Sequence, residues 1–300
     1  MSSVYKYSLI ISHYEMPEKL KRLLRSIPKR SDLQVIVVDD FSKNCRHQLS
    51  KIQDDYNWIE WLSTDYNGGA GKARNIGILH AEGEYILFAD SDDYFNPCFN
   101  EVLNKYIDRD DFDICYFTSC CLTEKTYEND SYLGFLNRSI HNCIHNPDNI
   151  KFRLTYTWAK LFKRRFLNKN NITFEESIVS NDVKFSTFCD YYAKTIIIDP
   201  IAIYCYMNYN GSVSKKMNPE KALERLRIDL WRYNFIREHN IKKRPITLIA
   251  GGAFDRIYNI HEKATRKKAY EICSGFNISY LSFSFLLLRS ALKKFVYKFL

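Results

Sequence analysis

The stretch that decides the fold runs from Glu84 to Phe95 and reads Glu-Tyr-Ile-Leu-Phe-Ala-Asp-Ser-Asp-Asp-Tyr-Phe. Its apolar run, residues 85–89, has the character of a buried strand, and three carboxylates follow within four residues. Ligands of open α/β sheets bind at the carboxyl ends of the strands. Clustered carboxylates repel one another unless a cation lies among them, and oxygen ligands favour a hard ion such as Mg²⁺ or Mn²⁺. The stretch therefore predicts either a metal site that holds nucleotide phosphates or a solvated turn, since Asp and Ser favour turns.

Earlier apolar runs predict parallel neighbours for this strand. Tyr7–Ser12 and Leu33–Val38 read as buried strands, with an amphipathic helix over Pro17–Ile27 between them. A second helix over Gln48–Tyr56 and a third strand over Trp58–Leu62 continue the alternation. Alternation of strands and helices predicts a largely parallel sheet with right-handed crossovers.

A glycine-rich segment, Asn67–Gly77, precedes the decisive stretch and reads Asn-Gly-Gly-Ala-Gly-Lys-Ala-Arg-Asn-Ile-Gly. Its first three glycines allow close backbone approach, and Lys72 and Arg74 add positive charge beside a helix N-terminus, which suits a diphosphate. The segment lacks the Rossmann glycine spacing, and Ala73 stands where a Walker A loop has Ser or Thr. The alternative is a glycine loop before an amphipathic helix whose cations face water.

Composition limits the class of protein. The 300 residues, 46% of them hydrophobic, can bury a large core in one long domain or in a domain with an appendage. The net charge of +9 does not indicate nucleic acid, because Lys and Arg are scattered until the last third of the chain. The first apolar run is interrupted by His13 and Glu15, unlike a signal peptide, and the nine cysteines fit buried thiols in a reducing compartment. We expect a cytoplasmic protein.

The ordered combination of these segments resembles family 2 of the inverting nucleotide-sugar glycosyltransferases, which have the GT-A fold. The resemblance covers residues 5–100 and rests on four segments: Ile11–Tyr14, Val38–Ser42, Asn67–Gly77 and Phe88–Asp93. Three later segments resemble the acceptor half of bacterial polysaccharide-assembly members that make capsule or O-antigen: Thr157–Phe162, Asn171–Phe174 and Ser180–Ser186. The implied fold class is α/β, a Rossmann-like and mostly parallel central sheet flanked by helices, with a C-terminal helical appendage.

The resemblance implies a GT-A catalytic domain over residues 1–216. Residues 1–100 form its nucleotide-sugar-binding half and residues 101–216 its acceptor half. The loop 208–216 suits either a lid over a diphosphate or an ordinary surface loop.

A helical C-terminal region is expected over residues 217–300. Lys221–His239 and Leu248–Lys263 read as helices. Residues 278–300 contain an apolar run shorter than the roughly 20 residues of a spanning helix, followed by Lys and Arg among apolar residues. This basic amphipathic segment either lies on an anionic membrane surface or packs on the catalytic domain.

Four residues match the family's nucleoside pocket. Ser12 and Tyr14 match the loop that cups the base and the ribose, and the Tyr14 ring can stack on a pyrimidine. Asp40 matches the carboxylate that accepts a hydrogen bond from the base, usually uracil, and Asp39 is assigned to the same pocket.

Further residues match the family's diphosphate and metal positions. Asp90 and Asp92 match the ends of the Asp-x-Asp motif, which places Asp90 near the ribose and both on a Mn²⁺ or Mg²⁺ ion. Asp93 either supports these carboxylates from outside the metal site or caps the following segment. The matching residues of the glycine-rich segment are Lys72, Arg74 and Asn75.

Asp182 is the catalytic base that the resemblance implies. In an inverting transfer the acceptor hydroxyl attacks the anomeric carbon while a carboxylate takes its proton. The family often has Glu-Asp here, whereas this chain has Asn181 before Asp182 and Glu175 and Glu176 upstream. Asp182 also reads as an N-cap of the apolar-periodic segment Val183–Cys189, and the two roles are compatible.

The resemblance implies transfer of a sugar from a nucleotide sugar, a UDP-sugar, to a growing bacterial surface glycan on a lipid carrier. The enzyme is expected at the cytoplasmic face of the inner membrane, as a peripheral protein without a nucleic-acid partner. Trp158 and Lys160 either touch a sugar or pack in the core.

Two other functions stay open. A sugar nucleotidyltransferase is disfavoured, because Lys72 and Arg74 do not lie in the longer basic loop near the N-terminus that such enzymes use. A catalytically silent scaffold of a glycan assembly complex is disfavoured because a scaffold needs neither a metal cluster nor a base.

Overall fold

The computed structural model describes residues 5–123, 131–208, 218–241, 246–260 and 262–299. The chain divides into two compact units. The first comprises Met1–Ser177 and Phe185–Tyr209, and the second comprises Ile178–Lys184 and Asn210–Leu300. The short segment Ile178–Lys184, which the sequence analysis assigns to the acceptor half, therefore clusters with the C-terminal helices.

The first unit is an eight-stranded mixed sheet flanked by helices. Its strands β1 to β8 are, in chain order, Tyr7–His13, Leu33–Asp39, Glu60–Ser63, Tyr85–Asp90, Tyr94–Phe95, Ile114–Thr123, Lys160–Lys163 and Ile196–Asn208. Helices α1 to α7 are Pro17–Arg25, Arg46–Asp55, Ala70–His80, Phe99–Tyr106, Ser131–His141, Arg164–Lys169 and Asp182–Tyr192, and a 3₁₀ turn spans Pro147–Ile150. The first three residues of α7 belong to the second unit.

The predicted parallel half of the sheet is confirmed. The strand order is β3-β2-β1-β4-β7-β6-β8-β5, and β3, β2, β1 and β4 are mutually parallel. All seven residues of β1 are buried because strands flank it and helices cover the sheet. Gly77 of α3 lies so close to β1 that an added Cβ would be 2.3 Å from Cγ2 of Ile10.

In the sequence, Ile196–Ile198 and Ile201–Met207 read as two late strands around Pro200, and that prediction is wrong. One strand, β8, runs through this residue, because its register against β6 shifts there: Phe117 pairs with Asp199, and Thr118 pairs with Ala202. The irregularity leaves Pro200 outside the ladder, where its missing N–H costs no hydrogen bond.

The expectation that the cysteines are all free thiols is also wrong. Cys120 on β6 pairs with Cys205 on β8 in register, with their Cα atoms 4.8 Å apart, and the two form a disulfide. This separation is within the range that a disulfide spans.

The second unit is helical. Its helices α8 to α12 are Pro219–Glu238, Ile246–Ile249, Gly251–Asn259, Lys263–Gly275 and Tyr280–Phe299. The prediction of one helix over Leu248–Lys263 is wrong in extent, because Ile260 adopts an extended backbone that ends α10, and α11 begins after it. Their shared core includes Leu226, Leu230, Phe254, Ile257 and Phe283. None of the helices in the described part of the chain has the length and apolar composition to cross a membrane.

Candidate active site

The carboxyl ends of β1, β2 and β4 lie side by side at one edge of the sheet. In the middle strand β1, His13 pairs with Asp39 of β2, and Ser12 pairs with Asp90 of β4. Tyr14 follows β1 and exposes 44% of its surface, while Ser12 is buried. Parallel pairing thus brings these strand ends together, as the apolar runs predicted.

The carboxylate of Asp39 is held by His13 and Ser42. Nε2 of buried His13 accepts a hydrogen bond from the Met16 N–H (3.1 Å), so Nδ1 carries the hydrogen and donates to Asp39 (2.8 Å). The Ser42 N–H and hydroxyl also donate to Asp39, at 2.9 and 2.6 Å. Burial raises the pKa of Asp39, but these hydrogen bonds outweigh it and the pKa lies below its ordinary value. Asp39 is therefore a fixed, ionised acceptor at the strand end.

His13 was not predicted to be a site residue. None of the seven histidines has the sequence spacing of metal ligands, and the partner of His13 lies 26 residues further along the chain. Register between adjacent parallel strands, which places residue 13 opposite residue 39, was the available signal.

Asp40 fixes the glycine-rich loop. Its carboxylate is buried and accepts hydrogen bonds from the N–H groups of Gly68 (3.0 Å) and Gly69 (2.7 Å). Gly69 has φ 84°, a left-handed conformation that favours glycine, and α3 starts directly after it. Because both oxygens of Asp40 serve the loop, this residue shapes the entrance to α3, and its contact with a base stays a prediction.

Lys72 is held by two neighbouring residues, Asp65 and Tyr66. Its ammonium pairs with the carboxylate of Asp65 and lies over the Tyr66 ring, 3.1 Å from the ring centroid. The ion pair holds the pKa of Asp65 below its ordinary value. A diphosphate that recruits Lys72 has to displace Asp65, an exposed acidic group.

Arg74 and Asn75 face protein groups. The buried Arg74 guanidinium donates to Asp90 at 2.5 Å and lies 5.2 Å from the ring of Phe174. The Asn75 amide accepts from the Phe174 N–H (2.8 Å) and donates to its carbonyl (3.0 Å). Arg74 therefore carries positive charge to the end of β4, whereas Asn75 fastens the segment around Phe174.

A tight turn presents Asp90 and Asp92. The Asp93 N–H donates to the Asp90 carbonyl (3.0 Å) and closes the turn. The Asp93 side chain points inward, where it accepts from the Tyr204 hydroxyl (2.8 Å) and from the Met207 N–H (2.7 Å). Burial, and then the charges of Asp90 and Asp92, raise the pKa of Asp93 well above its ordinary value. Of its two predicted roles, the support of the neighbouring carboxylates fits, because α4 begins only at Phe99 and Cys98 occupies its cap position.

The donor set at this turn fits a divalent metal completed by a ligand. A third of the Asp90 side chain is exposed, Asp92 is half-buried, and both offer carboxylate oxygens. In the described part of the chain, no group of three or more His, Cys, Asp or Glu side chains is arranged to hold a metal by itself. Mg²⁺ typically takes one or two carboxylates and completes its shell with water and substrate phosphates. Asp90 and Asp92 match that pattern.

Asp182 belongs to the second unit. It is the first residue of α7 and is half-buried, so the helix cap position falls on Asn181. The segment bends at Ser180, which has φ 57°, and the Val183 N–H donates to the Ser180 carbonyl (3.1 Å). Within this unit, the charge of Asp182 acts on Asp229 of α8, a residue that the sequence analysis did not single out.

Trp158 and Lys160 are core residues. The buried Trp158 ring stacks on Tyr156, with 3.9 Å between ring centroids, and on Tyr204, with 5.3 Å. The Lys160 ammonium is buried between the rings of Tyr116 and Tyr156, at 4.5 and 4.6 Å. Of the two expectations for these residues, core packing is confirmed. Most of the expected loop over residues 208–216 lies outside the described residues.

Comparison with known proteins identifies the family and the fold. Residues 8–171 match the family model described as glycosyl transferase family 2. The chain is 27% identical over 194 residues to the poly(ribitol-phosphate) beta-N-acetylglucosaminyltransferase TarS of Staphylococcus aureus, covering 62% of this chain and 32% of TarS. It is 25% identical over 224 residues to the uncharacterized glycosyltransferase YibD of Escherichia coli, covering 72% of this chain and 65% of YibD. The chain thus spans less than two thirds of either relative.

Two solved structures share the fold. The crystal structure of S. aureus TarS 1–349 in complex with UDP-GlcNAc superimposes with a TM-score of 0.65 and 21% identity, over 90% of this chain and 80% of that chain. The mannosyltransferase PcManGT from Pyrobaculum calidifontis in complex with GDP-Man and Mn²⁺ gives a TM-score of 0.55 and 13% identity, over 96% of this chain and 86% of that chain. At these identities the likeness shows a common fold.

Proposed function

The chain belongs to glycosyl transferase family 2, and from that premise we propose that it moves a sugar from a UDP-sugar to a growing, lipid-linked bacterial surface glycan. One observation carries the proposal: the parallel strand ends present an ionised Asp39, the Arg74–Asp90 pair and the Asp90–Asp92 turn at one edge of the sheet. TarS, which shares the fold, forms complexes with UDP-GlcNAc and with UDP. A uridine diphosphate is the donor group that we assign to this edge.

Each donor group has residues suited to it. Asp39 offers a fixed acceptor for the base or ribose, and Tyr14 offers an exposed ring for stacking. Ser12 lines the same strand end, and Asp40 holds the loop whose Lys72 and Arg74 supply positive charge toward the diphosphate. Asn75 contributes by fastening the segment behind Arg74.

Asp90 and Asp92 would hold a Mn²⁺ or Mg²⁺ ion. When bound, such an ion neutralises the negative charge that develops on a departing diphosphate. The protein contributes by holding the two carboxylates on a closed turn and by setting the Arg74 guanidinium against Asp90. Asp93 keeps the turn in place from the interior.

We assign Asp182 as the general base of an inverting displacement. The acceptor hydroxyl loses its proton to the Asp182 carboxylate as its oxygen bonds to the anomeric carbon, and the bond from that carbon to the diphosphate oxygen breaks with its electron pair. Lys72 and Arg74 stabilise the leaving phosphate. The position of Asp182 at the start of α7, where a carboxylate also favours the helix N-terminus, is consistent with a held, ionised base.

The acceptor side of the proposal rests on charge and on α12. Residues 218–300 contain 17 Lys and Arg against 7 Asp and Glu, whereas residues 1–217 contain 27 against 28. On α12, exposed apolar side chains recur at a spacing of three or four residues: Leu281, Phe285, Leu288 and Leu292. An apolar stripe on a strongly basic region suits the anionic cytoplasmic face of the inner membrane, where a lipid-linked acceptor is located. We therefore propose a peripheral membrane enzyme.

Calorimetric titration of the purified protein with UDP- and GDP-sugars, each with and without Mn²⁺, tests the donor site. The expected result is metal-dependent binding of one UDP-sugar that Asp92→Ala abolishes and that Asp111→Ala, a change of an exposed carboxylate, leaves intact. Asp182→Asn should still bind the donor but should no longer release UDP when an acceptor is added. Failure of a folded protein to bind any nucleotide sugar would overturn the proposal in favour of a scaffold.

A further inference from the structure

Helix α8 buries a carboxylate among arginines. Asp229 is 7% exposed, and Oδ2 lies 3.9 Å from Nε of Arg225 one turn earlier. Arg232, also on α8 and also buried, and Arg256 of α10 act on the same carboxylate. Burial and the nearby Arg225 lower the pKa of Arg256, so these two guanidiniums are close neighbours. Asp255 of α10 acts on Arg256 as well, so the compact group consists of three guanidiniums with the carboxylates of Asp229 and Asp255 beside them.

Such a cluster is a poor device for stability alone. Removing charges from water is costly, and apolar residues of similar volume often give equal or greater stability in such positions. The ion pair of Glu224 and Arg227 on the same helix is only half-buried. Stability alone therefore does not explain why these charged side chains are buried together.

The start of α7 lies beside α8, the helix that carries Asp229. Residues Ile178–Lys184 belong to the same compact unit as α8, and the Lys184 ammonium lies 5.1 Å from the ring centroid of Trp231. Asp182 is two residues before Lys184, and its negative charge reaches Asp229. Together with burial, which is the larger cause, that charge raises the pKa of Asp229 to about 6 despite the three guanidiniums.

We propose that Asp229 is a positioning residue for sugar transfer, which holds Arg225, Arg232 and Arg256 beside the start of α7 and thereby sets how strongly Asp182 attracts the acceptor proton. The inference rests on the proposed role of Asp182 as the base. It assigns the helical region a part in the reaction rather than that of an appendage.

The direction of the effect follows from charge. The interaction between two carboxylates is mutual, so an ionised Asp229 raises the proton affinity of Asp182. The guanidiniums that face Asp229, two from α8 and one from α10, act in the opposite sense. Without Asp229 the group loses one negative charge while Asp255 stays beside Arg256, so the net positive charge near Asp182 rises and Asp182 becomes a weaker base. A base with a lower pKa removes the acceptor proton less efficiently, so sugar transfer should slow by about tenfold or less when Asp229 is removed.

Carboxyl ¹³C NMR of the full chain, with the Asp182 signal assigned by its loss in Asp182→Asn, measures the effect without any acceptor. In Asp229→Asn the Asp182 titration should move to lower pH, and in Arg225→Gln it should move to higher pH. Asp229→Glu should restore most of the shift, and Glu224→Gln, a carboxylate change on the same helix, should leave it in place. The rate of UDP release should fall at low pH, and the pH at which it falls should shift among the variants in the same order as the Asp182 titration. Donor affinity should stay unchanged.

Opposite shifts of the Asp182 titration in the two variants indicate electrostatic positioning. A mere loss of structure would lower the activity of both variants without shifting the Asp182 titration in opposite directions. If Asp229→Asn does not fold, Arg225→Gln alone decides, because the Arg225 side chain is one-third exposed. An Asp182 titration that is unchanged in both variants would overturn this inference while the role of Asp182 stands. Normal turnover by Asp182→Asn would instead overturn the proposed base.

Discussion

The hydroxyl of Tyr204 joins Asp93 to the carboxylate-bearing turn. It donates to the Asp93 carboxylate (2.8 Å) and accepts from the Asp90 N–H (2.9 Å), so one buried oxygen connects β8 to both ends of the turn that carries Asp90 and Asp92. The geometry of the candidate metal site therefore depends on a residue more than a hundred positions away.

Tyr204→Phe should keep the stacked ring and lose this link. Two buried polar groups lose a partner, so we expect a loss of about 2–3 kcal/mol in the free energy of unfolding. Mn²⁺-dependent binding of the donor should weaken as well, because the turn is no longer fixed. Urea denaturation and calorimetry measure the two effects, with Tyr192→Phe, at an exposed tyrosine, as the control. Unchanged donor affinity in a destabilised variant would show that Tyr204 serves folding alone.

His13→Leu should remove the hydrogen bond that holds the Asp39 carboxylate at the end of β2. Asp39 loses the imidazole hydrogen bond that helps to lower its pKa, and the Met16 N–H loses its acceptor. We expect about 1–3 kcal/mol of lost stability for the unpaired buried group, and donor affinity reduced by about tenfold, the equivalent of one hydrogen bond to a charged group. His80→Leu is the matched control, because His80 pairs with Glu60 on the surface. Equal effects of the two changes would remove His13 from the site.

Gly77→Ala should destabilise the packing of α3 on β1. An added methyl group would lie 2.3 Å from Ile10 Cγ2, so helix or strand has to shift, at a cost of about 1–3 kcal/mol. Gly275→Ala in α11 meets no atom within 4 Å and should be neutral or slightly stabilising. Thermal and urea unfolding compare the pair. A Gly77→Ala protein as stable as the parent would mean that α3 does not sit tightly on β1.

Asp229 should make stability depend on pH in a defined direction. Its pKa is raised to about 6, above the value near 3.9 of an unfolded Asp. The folded protein binds this proton more tightly, so the contribution is complete below about pH 4 and is lost as the pH rises through about 6. The difference corresponds to about 3 kcal/mol. Asp229→Asn should flatten this part of the profile measured by urea denaturation, and Glu224→Gln should not; an identical slope in Asp229→Asn would contradict the assignment.

The parallel half of the fold was predictable because its strands are buried on both faces. Continuous apolar runs predicted β1, β2 and β4, and they placed Asp39 at the end of β2 and Asp90 at the end of β4. The short strand β7, Lys160–Lys163, was not predicted, since two of its four buried residues are lysines. The rings of Tyr116 and Tyr156 lie against the Lys160 ammonium and help to accommodate its charge in the core.

The site residues that escaped prediction depend on contacts far apart in the chain. His13 becomes a site residue through strand register, and Asp229 through helix packing that brings Arg256 of α10 and Asp182 of α7 to it. Neither relationship leaves a spacing signal in the sequence. Asp40 and Asn75 were predictable as residues of the region, but their hydrogen bonds to the glycine loop and to Phe174 were not.

Phe285→Ser tests the proposed membrane face of α12. Phe285 exposes 65% of its surface on the helix face opposite the buried Phe283 and Leu286, and it lies in the stripe with Leu281, Leu288 and Leu292. Inserting one large apolar side chain into a lipid interface contributes about 1.5–3 kcal/mol, so its loss should weaken vesicle binding by about tenfold or more.

The matched control is Phe135→Ser, which removes another exposed phenylalanine, 51% exposed, from α5 in the other unit. Cosedimentation with vesicles of phosphatidylcholine, alone or mixed with phosphatidylglycerol, should show binding only to the anionic mixture, and binding should fall as salt rises because the basic charge is screened. Sedimentation velocity without lipid identifies the competing outcome: a Phe285-dependent dimer that ignores vesicles would assign the stripe to a second copy of the chain. Loss of vesicle binding in Phe285→Ser, with binding retained in Phe135→Ser and donor affinity unchanged, would place the membrane contact on the helical region.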